Sequence, residues 1–292
     1  MKRSLAIALL AAVMLVPPRT SIARAGSSAH AISQESAARL LERQFASAGA
    51  FYVLMDAGTG EVLASNWTDL DRPLPLGSLL KPFTAIAYGE THAFEYPVLE
   101  CKGEAGGCWR PRGHGHIGIA QATAQSCNAY FRALASRLSA QDVSTTLKRF
   151  GMDPLDPGAR GESLFGVGDG WRASPRALLR AYLEITKRRT QPGAREVVQG
   201  MALAARAGTG EAVGHALNAG TKNARVLDAD ALVKTGTASC THPHRSPGDG
   251  FAVAIYPAQA PRFALLVSVH GAPGSHAAAV AGEMLRALQG AR

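Results

Sequence analysis

Three short groups of residues in this chain could together make and break an acyl bond. They are Ser78-Leu79-Leu80-Lys81, Ser126-Cys127-Asn128 and Lys234-Thr235-Gly236-Thr237. A serine hydroxyl becomes a useful nucleophile when a neighbouring base takes its proton. Lys81 follows Ser78 by about one helical turn on the same face, so its amine is expected to reach that hydroxyl. Burial would lower the pKa of the ammonium and leave an amine able to accept the proton. Ser126 is expected to relay a proton between Lys81 and the leaving group, and Asn128 to hold a substrate amide. Lys234 would raise the local potential for a substrate carboxylate, and Gly236 would let a ligand come close to the backbone. The amides of Thr237 and Ser78 would supply an oxyanion site. On a strand, Lys234 and Gly236 would face one way and Thr235 the other.

Singly, each group has an ordinary reading: a capped helix with a solvated lysine, a surface turn, an edge strand. Their order, and their placement on a helix start, an interhelical turn and a strand, agree with one serine acyl-transfer framework. In that framework Ser78, Lys81 and Ser126 are catalytic. Asn128, Lys234, Thr235, Gly236 and Thr237 bind substrate.

The elements that must position these residues follow from the hydrophobic pattern. Residues 33–48 read as an amphipathic helix that Gly49 stops. Residues 51–55 and 61–64 read as strands joined by the turn Asp56-Ala57-Gly58-Thr59-Gly60. A helix runs over 78–88. Helical pattern dominates from about 119 to 207, and strands return near 231–236, 251–256 and 263–270. A last Ala-rich helix covers 274–288. Strands at both ends and helices between them predict an α+β fold, with an antiparallel sheet of about five strands flanked by helices and a helical subdomain inserted.

Residues 1–25 read as a signal peptide. Met1-Lys2-Arg3 is a basic start, residues 5–16 are an apolar run too short for the roughly 20 residues a bilayer needs, and Ala23-Arg24-Ala25 offers a cleavage site. Residues 26–292 are then a single exported domain, in the periplasm or otherwise outside the cytoplasmic membrane, tied to the membrane only if the leader stays uncleaved. Its 27 basic against 22 acidic residues are mildly cationic. No dense basic stretch with interleaved aromatics points to nucleic acid. Four cysteines in an oxidising compartment invite disulfides, and a small loop bridge between Cys101 and Cys108 is one expectation. The pairing of Cys127 and Cys240 stays open. No metal or organic cofactor is expected. Neither cysteine pair has zinc-finger spacing, and His114, His116, His242 and His244 read as loop histidines without an evident partner.

Beyond the three groups, longer runs carry a resemblance. Phe51 to Ala64, the run Cys108-Trp109-Arg110-Pro111-Arg112-Gly113-His114-Gly115-His116, Gly166-Val167-Gly168, Ser174-Pro175 and Gly250 to Pro257 are similar to segments of division- and elongation-type transpeptidases. The chain resembles the transpeptidase domain of class B penicillin-binding proteins, in the serine penicillin-recognising superfamily that also holds β-lactamases. Val233 stands where that family commonly has glycine. The resemblance implies that Ser78 is the acylated nucleophile and Lys81 its base, with a peptidoglycan stem peptide ending in D-Ala-D-Ala as substrate, β-lactams as inhibitors and cell-wall synthesis proteins as partners. It leaves transpeptidase and carboxypeptidase both open. One alternative is a β-lactamase, for which Glu162 would have to activate water. Another is a non-catalytic β-lactam-sensing or scaffold domain.

Overall fold

The structure, a computed structural model, describes residues 25–46, 49–168, 170–219, 230–240 and 248–290. The expected leader lies outside them apart from Ala25, as do His242 and His244. Helix α1 (Ala25–Phe45) precedes strands β1 (Ala50–Asp56) and β2 (Val62–Ser65). It starts earlier than the amphipathic pattern suggested and ends at Phe45, short of the expected end at Ala48, and Gly49 beyond it has φ of 64°. Then come β3 (Leu74–Pro75), a 3-10 turn over Gly77–Leu80, α2 (Lys81–Thr91), β4 (Leu99–Cys101) and β5 (Gly115–Ile117). The helical region holds α3 (Ile119–Ala124), α4 (Asn128–Ala135), α5 (Ala140–Arg149), the short β6 (Arg172–Ala173), α6 (Pro175–Lys187), α7 (Ala194–Ala207) and α8 (Glu211–Asn218). The chain closes with β7 (Leu232–Ala238), β8 (Asp249–Tyr256), β9 (Phe263–His270) and α9 (Gly274–Gly290).

Five strands form one antiparallel sheet in the order β2-β1-β9-β8-β7. The register runs from Ala50 opposite Val269 to Asp56 opposite Phe263, so the first and last strands of the sheet are partners. Everything from β3 to α8 is therefore an insertion into a sheet built from the two ends of the chain, which is the α+β arrangement the pattern predicts.

The continuous apolar runs of β8 and β9 reflect burial on both faces. Side chains alternate between two cores. Val53, Met55, Phe251, Val253, Ile255 and Leu266 pack with the inserted helices. Tyr52, Leu54, Ala252, Ala254, Leu265 and Val267 pack with Leu41, Val213, Met284 and Leu285 from α1, α8 and α9. A one-residue slip would exchange the two sets, so register is fixed from both sides. Val233 belongs to the second core and lies against Gly210, where an added Cβ would stand 2.4 Å from Val233 Cγ1. The side chain that replaces the family's glycine is thus housed by a glycine opposite.

The end of β7 presses on the 3-10 turn with bare backbone. A Cβ on Gly236 would lie 2.5 Å from Leu76 O, and one on Gly77 would lie 2.2 Å from Thr237 O. Gly77 also has φ of 57°, a conformation that L side chains resist. Gly77→Ala is expected to lower stability by about 3 kcal/mol or more, from backbone overlap added to left-handed strain. Gly60→Ala has the strain (φ 73°) with nothing within 4 Å of its Cβ, so about 1 kcal/mol is expected there. Urea denaturation of the two variants checks this, and equal midpoint shifts would contradict it.

Candidate active site

Ser78 stands on the 3-10 turn, one step before the α-helix that was expected to carry it, and Lys81 opens α2 with its amide donating to Ser78 O. The turn and the start of α2 are each held from outside. The Tyr182 hydroxyl of α6 donates to Leu79 O at 2.9 Å, and Thr84 Oγ1 donates to Leu164 O at 2.7 Å. Ser78 is half-buried and borders a cleft of about 860 Å³.

Lys81 is 0% exposed. Its Nζ donates to Ser126 O at 2.8 Å, Ser126 Oγ at 3.2 Å and Asn128 Oδ1 at 2.5 Å, with the rings of Phe131 and Phe165 beside it. These three acceptors match the three protons of an ammonium. The amine therefore engages the second motif, and the direct hydrogen bond to Ser78 that the helical spacing suggested is absent among the described residues. Burial drives the Lys81 pKa down to about 7, with Cys127 and Cys108 pulling it partly back.

Lys234 is also 0% exposed. It donates to Ser126 Oγ at 3.0 Å and to Thr235 O at 2.7 Å. Its pKa is lowered well below the ordinary lysine value, by burial first and then by the charge of Lys81. One serine hydroxyl thus receives two buried amines, and keeping both charged so close together in an apolar setting is costly. Ser126 itself sits at φ 49°, unusual for a side chain with a Cβ. Backbone strain of this kind is characteristic of functional turns.

Thr235, Gly236 and Thr237 all border the cleft, together with Ser126 and Asn128, whereas Lys234 does not. Alternation is kept, with Lys234 turned to Ser126 and Thr235 to Thr209 beside Gly210, which faces Val233. Thr235 Oγ1 donates to Thr209 Oγ1 at 2.5 Å and Thr237 Oγ1 accepts from Gly274 N at 3.0 Å. The close approach at Gly236 is made by the protein's own Leu76 and Leu79. Sequence reasoning missed Thr209, and Trp109, Arg110 and Glu211 as cleft residues. Nothing in their local spacing marks them, since the fold brings them in from two segments far apart in sequence, the loop of Trp109 and Arg110 and the α7–α8 turn. Glu162 lies off the cleft and is paired with Arg132.

Cys101 and Cys108 are free thiols, so the expected bridge between them is absent among the described residues. His114 is not partnerless. Cys101, Cys108, His114 and Cys127 bring their donor atoms within 4.8 Å of one another. Cys101 Sγ to His114 Nδ1 is 3.4 Å, Cys108 Sγ to His114 Nδ1 is 3.6 Å, and Cys108 Sγ to Cys127 Sγ is 3.8 Å. Ligands on one tetrahedral zinc, with sulfur at about 2.3 Å and nitrogen at about 2.0 Å, stand about 3.5–3.8 Å apart. The Cys108 pKa is lowered: burial opposes this, but the amides of Arg110, Ala129 and Asn128 outweigh it. These four residues could hold a zinc ion, and the sequence hid them because their spacing follows a loop and a helix start. A second group, Cys240, Asp249 and His270, fits less well. Its His270 Nδ1 to Asp249 Oδ1 separation of 2.8 Å is that of a hydrogen bond, against about 3.3 Å between two ligands of one ion.

Protein purified without chelator should carry about one zinc per chain by elemental analysis, and cobalt exchange should produce a thiolate charge-transfer band. Cys101→Ser combined with Cys108→Ser should abolish both. A metal-free wild type that also stays metal-free when zinc is supplied would refute the site.

Comparisons with known proteins agree with the fold. Comparison with curated protein sequences returns no match. Among solved structures, penicillin-binding protein 2 of Helicobacter pylori in its complex with MreC is similar, with a TM-score of 0.66 and 18% identity over 89% of this chain. This chain spans 62% of the length of that protein. The transpeptidase domain of penicillin-binding protein 3 from Burkholderia pseudomallei matches with a TM-score of 0.63 and 18% identity, covering 90% of this chain and 93% of that one. The FtsI4 transpeptidase domain of Legionella pneumophila matches with a TM-score of 0.57 and 17% identity, covering 89% and 94% respectively. The model of the penicillin-binding protein transpeptidase domain matches residues 50–289, and the chain belongs to that family.

Proposed function

We propose that the protein is an exported serine D,D-transpeptidase or carboxypeptidase that acts on stem peptides ending in D-Ala-D-Ala and is acylated by β-lactams at Ser78. The observation that carries this is the Ser126 hydroxyl, shared by the Lys81 and Lys234 amines at 3.2 and 3.0 Å, beside a cleft that Ser78 borders.

In this reading Ser78 Oγ attacks the carbonyl carbon of the penultimate D-Ala. Its proton passes to the neutral Lys81 amine by way of Ser126. The tetrahedral oxyanion is held by the amides of Ser78 and Thr237. As the peptide bond breaks, the proton returns through Ser126 to the leaving D-Ala nitrogen, and an ester on Ser78 remains. An amine or a water then attacks that ester, and the same groups take and return its proton. Asn128 has its carbonyl on Lys81, so its amide NH₂ is left to face the substrate. Thr235 and Thr237 would receive the substrate carboxylate, with Lys234 behind them on Ser126. Glu162, off the cleft and ion-paired, gives no support to the β-lactamase reading. A cell-wall synthesis partner fits this function, since the H. pylori relative was solved in complex with MreC.

Labelled penicillin should leave a long-lived adduct on the wild type and none on Ser78→Ala. Rapid drug hydrolysis without a lasting adduct would favour a β-lactamase instead. Below about pH 7 the Lys81 amine is protonated and cannot take the serine proton. The acylation rate should therefore rise with pH through about 7 and level above it. Lys81→Arg, which stays charged, should cost at least about a hundredfold in rate. A flat pH profile would remove Lys81 from the role of base.

A further inference from the structure

The 3-10 turn that carries Ser78 runs into a proline. Lys81 N donates to Ser78 O, and the next bond of that series would run from residue 82 to Leu79 O. Residue 82 is Pro82, which has no N–H to give. The donor comes instead from another helix: the Tyr182 hydroxyl of α6, 103 residues further along the chain, donates to Leu79 O at 2.9 Å. The side chain of Leu79 meets β7, where a Cβ on Gly236 would stand 3.0 Å from Leu79 Cγ. The residue that follows the nucleophile is therefore held by its side chain against the sheet and by its carbonyl against α6.

Tyr182 is suited to hold that carbonyl still. It is 0% exposed, and its ring meets Phe83 of α2 edge-on at 5.6 Å, while Phe83 meets Phe150 edge-on at 5.5 Å. Burial pushes its pKa well above the ordinary phenol value, so the hydroxyl keeps its proton and stays a donor wherever the enzyme would work. Tyr182 is not among the described residues that line the cleft, so it acts on the reaction only through the turn. A phenylalanine would fill the same space and spare the cost of burying a hydroxyl. What the hydroxyl adds is its grip on one carbonyl of the turn.

We propose that Tyr182 is a positioning residue for acyl transfer. Its hydroxyl fixes the Leu79 peptide, and through it the angle at which Ser78 Oγ and the Ser78 amide face the acyl carbon. Attack and one oxyanion contact both depend on that angle, so loosening it slows the chemical step. Binding is left alone, because Asn128, Thr235 and Thr237 take the ligand from other elements. The inference rests on the functional reading above in taking Ser78 as the nucleophile.

Stopped-flow acylation by a chromogenic β-lactam, over a range of concentrations, separates the acylation rate constant from the dissociation constant of the complex that precedes it. Tyr182→Phe keeps the ring and removes only the hydroxyl. Its acylation rate constant should fall about tenfold, as for a slightly misplaced nucleophile, with the dissociation constant within about twofold of the wild type's. The midpoint of the pH profile should stay at about 7, since burial and the second motif set it at Lys81. Thr186→Val is the control. It removes another buried hydroxyl bond of the same helix, from Thr186 Oγ1 to Tyr182 O at 3.0 Å, and should lower the melting temperature while leaving the acylation rate constant unchanged. An unchanged rate constant in Tyr182→Phe, a loss that falls on the dissociation constant, a displaced pH midpoint, or an equal slowing in Thr186→Val would overturn the inference, with labelling of the wild type at Ser78 leaving the functional reading intact. A wild type that takes no label contradicts the functional reading and the inference with it.

Discussion

A buried lysine amine that must be satisfied without water is the constraint on which the site depends. Lys81 has no exposed surface, and its acceptors come from the turn that joins α3 to α4. That turn has to offer a backbone carbonyl, a hydroxyl and an amide oxygen to one point. It does so at the cost of a left-handed Ser126. An ammonium left without these partners would cost several kcal/mol in such surroundings. The inserted helices therefore cannot be displaced from the 3-10 turn without stranding the amine, and the nucleophile's position follows from that of Lys81.

Two other features hold the same assembly from outside. The backbone of β7 meets the Ser78 turn with no side chain between them at Gly77 and Gly236, which docks the sheet against the nucleophile. Beneath the second motif, Cys127 separates Ser126 from Asn128 and turns its sulfur into the group formed with Cys101, Cys108 and His114. A metal there would tie the loop before α3 to the turn that receives Lys81. It would also set the angle at which the adjoining Trp109 and Arg110 enter the cleft.

The sheet was legible in the sequence because its strands are short apolar runs separated by clear turns, and because the first and last of them could only be satisfied by one another. The three motifs were legible because their chemistry is local. What could not be read depends on distance. The helical spacing of Ser78 and Lys81 suggested a direct contact, but the amine turns toward acceptors about 45 residues away in sequence. The sequence pictured Lys234 acting on a substrate carboxylate, whereas its amine lies on Ser126, off the cleft. The cysteines and His114 lacked a recognisable zinc spacing because a hairpin and a helix start, not one compact loop, bring them together. Thr209, Arg110 and Glu211 are ordinary polar residues until tertiary structure gathers them.

The central claim is that burial lowers the Lys81 pKa to about 7, so that the amine held by Ser126 and Asn128 can give up its proton near neutral pH and serve as the base. Titration of the lysine Nζ signals by nitrogen-detected magnetic resonance, with Lys81 assigned from its loss in Lys81→Arg, measures this directly. The account predicts a midpoint near the value of about 7 set by burial, far below the ordinary 10.5 of lysine. A Lys81 midpoint close to 10.5 would contradict it.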